Sequence, residues 1–325
     1  MLKKRLIIFV FMGIIGFGFI IATPIGVVSV IFSSYSTINK SCSFEYLPDN
    51  PSATGVLNLN IDFGNIEINY IDPPVNYQIK IDVHIKMAGA GLVGKDYLDY
   101  FIIDEGDTTG SSINFSLKIL PNITESEIDD LVKDVSIIVS LRKDIVFNIS
   151  TAILYGNVGI FVPFRVKINS LNVNITHGNM LFDLRNCIVG GDITGILNNG
   201  KIIFISDNAE YTQNSEWTLY SNKNYIHIAQ DESMGANITG TIITTEDVGT
   251  RLIFIDSTLE VGAKFTLFDY RFPQIQNGTL ENFYFYEVPE GINRYCYVSN
   301  DFPANYSYNL DLFLGGILNF NLFSA

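Results

Sequence analysis

The sequence contains few of the residues on which most active sites and metal centres depend. It has three Cys and three His in 325 residues, and charged residues make up 17% of the chain. Cysteine and histidine are the usual zinc ligands, and histidine is the commonest general base. No zinc-like spacing, phosphate-binding glycine loop or G-x-S-x-G turn is present. We therefore expect no catalytic residue, no metal site and no cofactor.

The three histidines are expected at solvated positions. His84 falls on the polar phase of an alternating segment, and His177 falls in a turn. His227 lies between Ile226 and Ile228 and therefore faces away from both of them. No serine, cysteine or carboxylate partner is suggested by spacing.

Helix signals are also scarce beyond residue 32. Thr124 and Glu127 have the T-x-x-E spacing of a capping box, which predicts a helix over 125–132. A weaker helical pattern covers 95–101, and glycines on both sides set this region apart from the strands around it.

One long apolar run lies at the N-terminus. Lys3, Lys4 and Arg5 precede 27 uncharged residues, 6–32, which as a helix reach roughly 40 Å, more than a bilayer core requires. The run is too long for a signal peptide and lacks a small-residue cleavage pattern. We therefore predict an uncleaved signal anchor in the lipid bilayer, with a cytoplasmic tail at 1–5 and all following residues extracellular.

Three small residues within this run recur every four positions. Gly18, Ala22 and Gly26 would form one row on a helix and allow a second helix to approach closely. Weak self-association of the membrane segment is therefore a candidate interaction.

Negative charge dominates the rest of the chain. Beyond the three N-terminal cations, 17 Lys and Arg stand against 34 Asp and Glu, a net charge of about −17. Nucleic acid and anionic lipid surfaces both require a cationic face, so neither is an expected partner of this part. Acidic clusters at 104–107 and 129–134 match no EF-hand loop and are expected to be solvated.

The cysteines are Cys42, Cys187 and Cys296. Three cysteines allow three pairings, and the sequence does not choose among them. Cys42 and Cys296 are the candidates for a disulfide that would join the two ends of the extracellular part.

Eight N-x-[ST] sequons follow the apolar run. Most fall on the polar phase of alternating segments or in turns, where a glycan would meet solvent. The candidate glycosylation sites are Asn39, Asn114, Asn122, Asn148, Asn174, Asn237, Asn277 and Asn305.

Alternation of apolar and polar residues dominates from residue 56 onward and predicts an all-β fold. Around Gly64 the phase of the alternation reverses, which indicates a turn or bulge between two strands that share one core. Further strands are predicted at 79–87, 113–119, 135–141, 145–149 and 158–162.

From residue 164 the strands recur as a repeat. Gly178-Asn179, Gly200-Lys201 and Asn222-Lys223 each precede an apolar strand at intervals of 22 residues, which predicts the stacked rungs of a β-solenoid. The predicted divisions are a linker at 33–54, a β-rich part at 55–163 with an excursion at 88–134, solenoid repeats at 164–270 and capping strands at 271–325.

The segments 171–180, 189–195 and 199–203 resemble the putative-adhesin domain family, in which short glycine-turn units build a β-solenoid on membrane-anchored or exported proteins. The resemblance covers about residues 150–260 and transfers no ligand-binding residue. It implies adhesion or another function at the cell envelope.

Three functions are consistent with these features. The first is a non-catalytic, membrane-anchored surface protein that contacts an extracellular protein or glycan. The second is a polysaccharide-active β-helix enzyme, which would need two carboxylates about 5–10 Å apart, or a basic lyase site, on one face of the solenoid. The third is an envelope-signalling membrane protein, which would need a partner because its cytoplasmic tail has five residues.

Overall fold

The computed structural model describes residues 35–47, 53–106, 112–231, 234–245, 251–256, 261–268, 283–287, 294–299, 302, 304–314 and 319–324. Strands dominate these ranges, which confirms the predicted all-β class. The strands are β1 (Tyr35–Tyr46), β2 (Thr54–Phe63), β3 (Asn65–Ile71), β4 (Ile79–Ala90), β5 (Phe101–Asp104), β6 (Ser112–Ile119), β7 (Val132–Arg142), β8 (Val146–Tyr155), β9 (Val158–Phe161), β10 (Lys167–Asp183), β11 (Ile188–Val189), β12 (Ile193–Ile205), β13 (Glu210–Tyr211), β14 (Ser215–Ser221), β15 (Lys223–Gln230), β16 (Ile238–Thr244), β17 (Arg251–Asp256), β18 (Val261–Phe268), β19 (Phe283–Glu287), β20 (Arg294–Ser299), β21 (Tyr306–Leu314) and β22 (Asn319–Ser324).

The predicted membrane segment, residues 6–32, and the tail at 1–5 lie outside the described residues. Within the described ranges, no helix is both long enough and apolar enough to cross a bilayer. Anchoring, the orientation across the membrane and self-association through the small-residue row therefore stay predictions. The predicted domain boundaries also stay predictions.

The described chain divides into two compact units. The smaller unit comprises 35–42, 84–102 and 119–135, and the larger unit comprises the remaining described residues. The smaller unit contains the helix α1 (Glu125–Leu131), which confirms the helix predicted at this place. Thr124 Oγ1 accepts a hydrogen bond from the Glu127 amide, and the Thr124 amide donates to the Glu127 carboxylate, so the predicted capping box forms.

The second helical prediction, over 95–101, was too long. Only a 3₁₀ turn forms there, at Tyr97–Asp99, capped by the Asp96 side chain. The strand β5 begins at Phe101, which leaves no room for a second helical turn.

The larger unit consists mainly of parallel strands stacked in rungs, each of which contributes one strand to a first face and one to a second face. The order in the first face is β6–β2–β8–β10–β12–β14–β16–β21–β18. The order in the second face is β7–β3–β9–β10–β12–β15–β17–β22. The start of β10 with β11 and β13 forms a short third face. Beyond β18, the strands β20 and β19 continue the first face in antiparallel pairing.

Glycine forms the first corner, where the chain passes from the first face to the second. Gly156, Gly178 and Gly200 have φ angles of 148°, 149° and 148°, and Gly178 pairs with Gly200. A Cβ atom on Gly178 would lie 1.6 Å from the carbonyl oxygen of Gly156, so the rungs stack at this distance only with glycine here. The Asn179 amide donates to Asn157 Oδ1 over 2.9 Å and links adjacent corners. The register confirms the predicted 22-residue spacing.

Alternate side chains of the strands fill the interior of the stack. Trp217 is fully buried, with its ring centroid 4.6 Å from that of Phe204 and 5.6 Å from that of Tyr308. Burying a large apolar side chain stabilises a fold by about 1.5–3 kcal/mol, so the stacking of neighbouring rungs supplies the core that one rung lacks.

The order of the rungs departs from chain order at both ends. The strands β2 and β3 lie between the later pairs β6–β7 and β8–β9. Near the C-terminus, β21 lies between β16 and β18, although both precede it in the chain. Between these ends, from β8 to β15, neighbouring rungs follow each other directly along the chain.

Candidate functional site

A second corner, between the second and third faces, has a left-handed residue in three successive rungs. The φ angles are 57° at Arg165, 56° at Asn186 and 50° at Asn208. The Arg165 amide donates to the carbonyl oxygen of Asn186, and the Asn186 amide donates to that of Asp207, each over 2.8 Å. Asparagine tolerates this backbone region better than most other residues. Two of the three corners therefore have a residue suited to their backbone, and the third has arginine.

The corner that contains Arg165 is also longer than the next one. Phe161 pairs with Asp183, yet Arg165 follows Phe161 by four positions, whereas Asn186 follows Asp183 by three. The additional residue turns Phe164 outward. Its side chain is 67% exposed, the largest value among the large hydrophobic residues of the described chain.

A groove of about 420 Å³ opens beside this corner, and we call it the corner groove. Asn69 and Tyr70, near the end of β3, line one side of it. Its volume is within the range of small-molecule sites, roughly 300–1,000 Å³. The aromatic and polar side chains that line it belong to Asn69, Tyr70, Phe161, Phe164, Asp183, Arg185 and Asn186.

An ion pair forms one wall of the corner groove. Arg185 Nε donates to Asp183 Oδ1 over 2.8 Å, and Arg185 Nη2 donates to Asp183 Oδ2, so that the pair is bidentate. The hydrogen bonds from the guanidinium hold the pKa of Asp183 below its ordinary value. The pair fixes both side chains in the geometry that a ligand would meet.

In the next rung, Asp207 and His227 form a second pair, which lies outside the groove. His227 Nδ1 lies 2.9 Å from Asp207 Oδ1 and 3.0 Å from Asp207 Oδ2, and the Ala229 amide donates to Asp207 Oδ1 over 2.9 Å. Burial raises the pKa of Asp207, although His227 and the amide favour its charged form.

This arrangement is better suited to binding than to catalysis. Each oxygen of Asp183 and Asp207 already contacts a protein nitrogen that can donate a hydrogen bond. A carboxylate that acts on a substrate needs an oxygen directed at the reacting bond. The Asn69 amide donates to the Glu67 carboxylate over 2.6 Å. The exposed ring of Phe164 and the amide of Asn186 are left to contact a ligand.

Sequence reasoning missed the corner groove and both ion pairs. Asp207 and His227 are 20 positions apart, and the Asp183 column continues through Ile205 to His227 in register. The signal that could have found them is the 22-residue repeat itself, because residues separated by about one repeat stack on each other. Of the other two histidines, His84 Nδ1 lies 3.0 Å from Ser41 Oγ, and the His177 ring stacks on that of Tyr155.

The acidic clusters do not form a metal centre in the part of the chain that the structure describes. There, no group of three or more histidine, cysteine or acidic side chains is placed to hold a metal ion. Asp104 accepts a hydrogen bond from the amide of Gly106, and Asp192 accepts one from the amide of Glu216. These carboxylates therefore stabilise loops and rung ends.

The sequons differ in how their side chains are used. Asn39, Asn122, Asn174 and Asn305 are exposed. Three others accept hydrogen bonds from neighbouring strands: Asn114 from Asn58, Asn148 from Asn169 and Ser170, and Asn237 from Ser307. Asn277 lies outside the described residues, and glycosylation at all eight stays a prediction.

The cysteines are free thiols in the structure. Cys42 is half-buried and donates to the Tyr97 hydroxyl, while Cys187 and Cys296 are buried. Burial raises the pKa of the Cys187 thiol to about 12. Cys42 and Cys296 belong to different compact units, and their pairing stays a prediction.

No protein-family model and no curated protein matches the chain. Similar solved structures include a putative cell adhesion protein from Clostridium sporogenes, with 13% identity over 89% of this chain and 100% of that chain and a TM-score of 0.30. A putative adhesin from Parabacteroides merdae has 9% identity over 89% and 96%, with a TM-score of 0.30. A putative lipid-binding protein from Parabacteroides distasonis has 10% identity over 87% and 96%, with a TM-score of 0.31.

Proposed function

We propose that the protein is a non-catalytic recognition protein of the cell surface, which binds an extracellular glycan or protein through the corner groove. The observation that carries the proposal is the exposed Phe164 beside a fixed Asp183–Arg185 pair and the exposed amide of Asn186. An exposed aromatic side chain next to a few oriented polar groups is the usual composition of a binding site.

The apolar run at 6–32 supports the second part of the proposal, which is location. Its length and the basic residues before it favour a single-pass anchor with the β-rich part outside the cell. Protease added to intact cells that express the full chain should then digest the β-rich part. Protection of that part until the cells are lysed would contradict the location.

Binding is tested with the full-length chain in detergent micelles against isolated cell envelopes and a glycan panel. Phe164→Ala should reduce binding by roughly tenfold or more, because it removes the exposed ring from the groove. Phe313→Ala is the matched control, since Phe313 is a 38% exposed ring on the first face, outside the groove. Equal binding by both variants and the unchanged protein would contradict a role for the groove.

A polysaccharide-active enzyme is the second candidate, and one observation favours it. Asp183 and Asp207 lie in adjacent rungs near one corner, with the pKa of Asp183 lowered and that of Asp207 raised. Carboxyl pairs whose pKa values differ in this way serve as acid and base in glycosidases. A hydrolysis screen on the same glycan panel decides between the two: turnover that Asp207→Asn abolishes would replace the binding proposal.

A further inference from the structure

The sequons of the larger unit are unevenly distributed over its faces. Those within the described residues all belong to the first face: Asn114, Asn148 and Asn174 lie on its strands, and Asn237 and Asn305 lie one residue before β16 and β21. The second face also has outward asparagines, but none of them begins a sequon: Asn65, Asn69, Asn157 and Asn179. Glycans at these sequons would therefore cover the first face and leave the second face bare.

A bare face is the one that remains open to another macromolecule. A glycan is bulky and strongly hydrated, so it excludes a partner from the surface around it. The corner groove opens on the second face, because Asn69, Phe161 and Asp183 are outward positions of its strands. The distribution of the sequons and the position of the groove therefore indicate the same face.

Three neighbouring strands of the second face contain cations and no carboxylate. The segments 201–205, 223–229 and 251–255 of β12, β15 and β17 include Lys201, Lys223 and Arg251 but no aspartate or glutamate. The whole chain has 34 acidic residues against 20 basic ones, so the sign of the charge is reversed locally. Lys201 even pairs with Lys223 in register, although like charges on adjacent strands repel each other.

Two of these cations are held by an aromatic ring. Lys201 Nζ lies 5.5 Å and Arg251 Cζ 5.6 Å from the ring centroid of Tyr225, whose strand lies between theirs. Packing on the ring restricts both side chains, so less conformational entropy is lost when they bind an anionic group. Leu181 and Ile203 continue the column of Tyr225 and are partly exposed. We call this set the basic patch: Leu181, Lys201, Ile203, Lys223, Tyr225 and Arg251.

We infer that the second face is the docking face for a partner protein, with an acidic surface of that protein on the basic patch. This inference rests on the proposed function and on the predicted glycans, and it narrows the partner to a protein. Apolar and aromatic side chains beside charged groups are the composition of a protein interface.

Other occupants fit the basic patch less well. Lys201 and Arg251 already lie over the Tyr225 ring, so the patch offers a sugar no open ring to stack on. A second copy docked through the same patch would bring like charges together, which is unfavourable. An acidic protein surface satisfies the cations and covers the aliphatic column.

The test uses the full-length chain, produced in a cell line that attaches N-glycans, and isolated cell envelopes as the probe. Leu181→Thr creates a sequon at Asn179 on the second face, and its glycan should reduce binding at least tenfold by excluding the partner. Leu181→Val has the same shape without a sequon and should keep binding. Asp311→Thr adds a sequon at Asn309 on the first face and should also keep binding. Mass spectrometry reports which sites carry a glycan.

Reversal of one charge tests the chemistry of the partner. Arg251→Glu should weaken binding at least tenfold, and binding of the unchanged protein should fall as the salt concentration rises. Lys264→Glu is the matched control, because it makes the same change of charge on β18 of the first face. Protease treatment of the envelopes should remove binding, whereas periodate oxidation of their glycans should leave it.

The outcomes separate this inference from the proposed function. Binding that is lost in Phe164→Ala but kept in Arg251→Glu and in glycosylated Leu181→Thr would overturn the second-face inference and leave the proposed function standing. Sensitivity to periodate without sensitivity to protease would overturn the protein partner. An equal loss of binding in Asp311→Thr and Leu181→Thr, or a first face without glycans, would overturn the difference between the faces. Absence of envelope binding by the unchanged protein would overturn both.

Discussion

Replacing Arg165 by asparagine should stabilise the protein, because the left-handed position at the second corner suits asparagine better than arginine. The left-handed conformation costs an ordinary residue about 1–2 kcal/mol, and the cost is smaller for asparagine. The substitution also removes the guanidinium from the Phe164 ring, a contact of about 0.5 kcal/mol at an exposed site. We therefore expect Arg165→Asn to raise the free energy of unfolding by about 0.5–1 kcal/mol.

The measurement is urea unfolding of the full-length chain in detergent, with thermal unfolding as a second method. For a unit of this size, 1 kcal/mol corresponds to about 2–4 °C, so the midpoint should rise by about 1–4 °C. The reverse change, Asn186→Arg, places arginine at φ 56° and should lower stability by a similar amount. A loss of stability in Arg165→Asn, or no effect of Asn186→Arg, would refute the reasoning.

Three further predictions concern other parts of the fold. Gly178→Ala should lower the free energy of unfolding by more than about 2 kcal/mol, because its Cβ would collide with the Gly156 carbonyl. Gly91→Ala is the control and should lower it by less, because the space around Gly91 is open. The midpoints of urea unfolding compare the two variants. The pKa of Asp183 is lowered in the folded protein, so the carboxylate should contribute to the free energy of unfolding above pH 3.8, its ordinary pKa. This contribution should disappear as the pH falls through the lower pKa of the folded state. The difference in stability between the unchanged protein and Asp183→Asn, followed from pH 7 into acid, tests this sign. Thr124→Ala should destabilise α1 by about 0.5–2 kcal/mol, visible as faster amide exchange over Glu125–Leu131 and unchanged exchange in β12.

The sequence was sufficient to predict what local rules determine. Alternation predicted a strand at 79–87, and β4 covers it because its odd-numbered side chains from Ile79 to Met87 are buried. The glycines at 178 and 200 predicted both the turn and the repeat length, since only glycine permits the approach of successive corners. The T-x-x-E pattern predicted α1 because a capping box depends only on residues that are close in the sequence.

Other features depend on which segments meet, and periodicity does not contain that information. The alternation of β6 and β7 is the same whether they lie outside β2 and β3 or after them, so the order of the rungs was not predictable. The pairing of Asp207 with His227 needed the repeat to be followed across the second corner. The groove depended on a single additional residue before Arg165, whose effect on Phe164 is visible only in three dimensions.

The place of β21 determines when the end of the stack that contains β16 and β18 can be completed. Until β21 has been synthesised, β16 and β18 each keep an open edge where β21 belongs, and open edges can pair with other chains. The middle of the stack, from β8 to β15, has no such delay, because its rungs are synthesised in the order in which they stack. The gap between β16 and β18 is therefore exposed to wrong pairing until β21 has been made and has inserted between them.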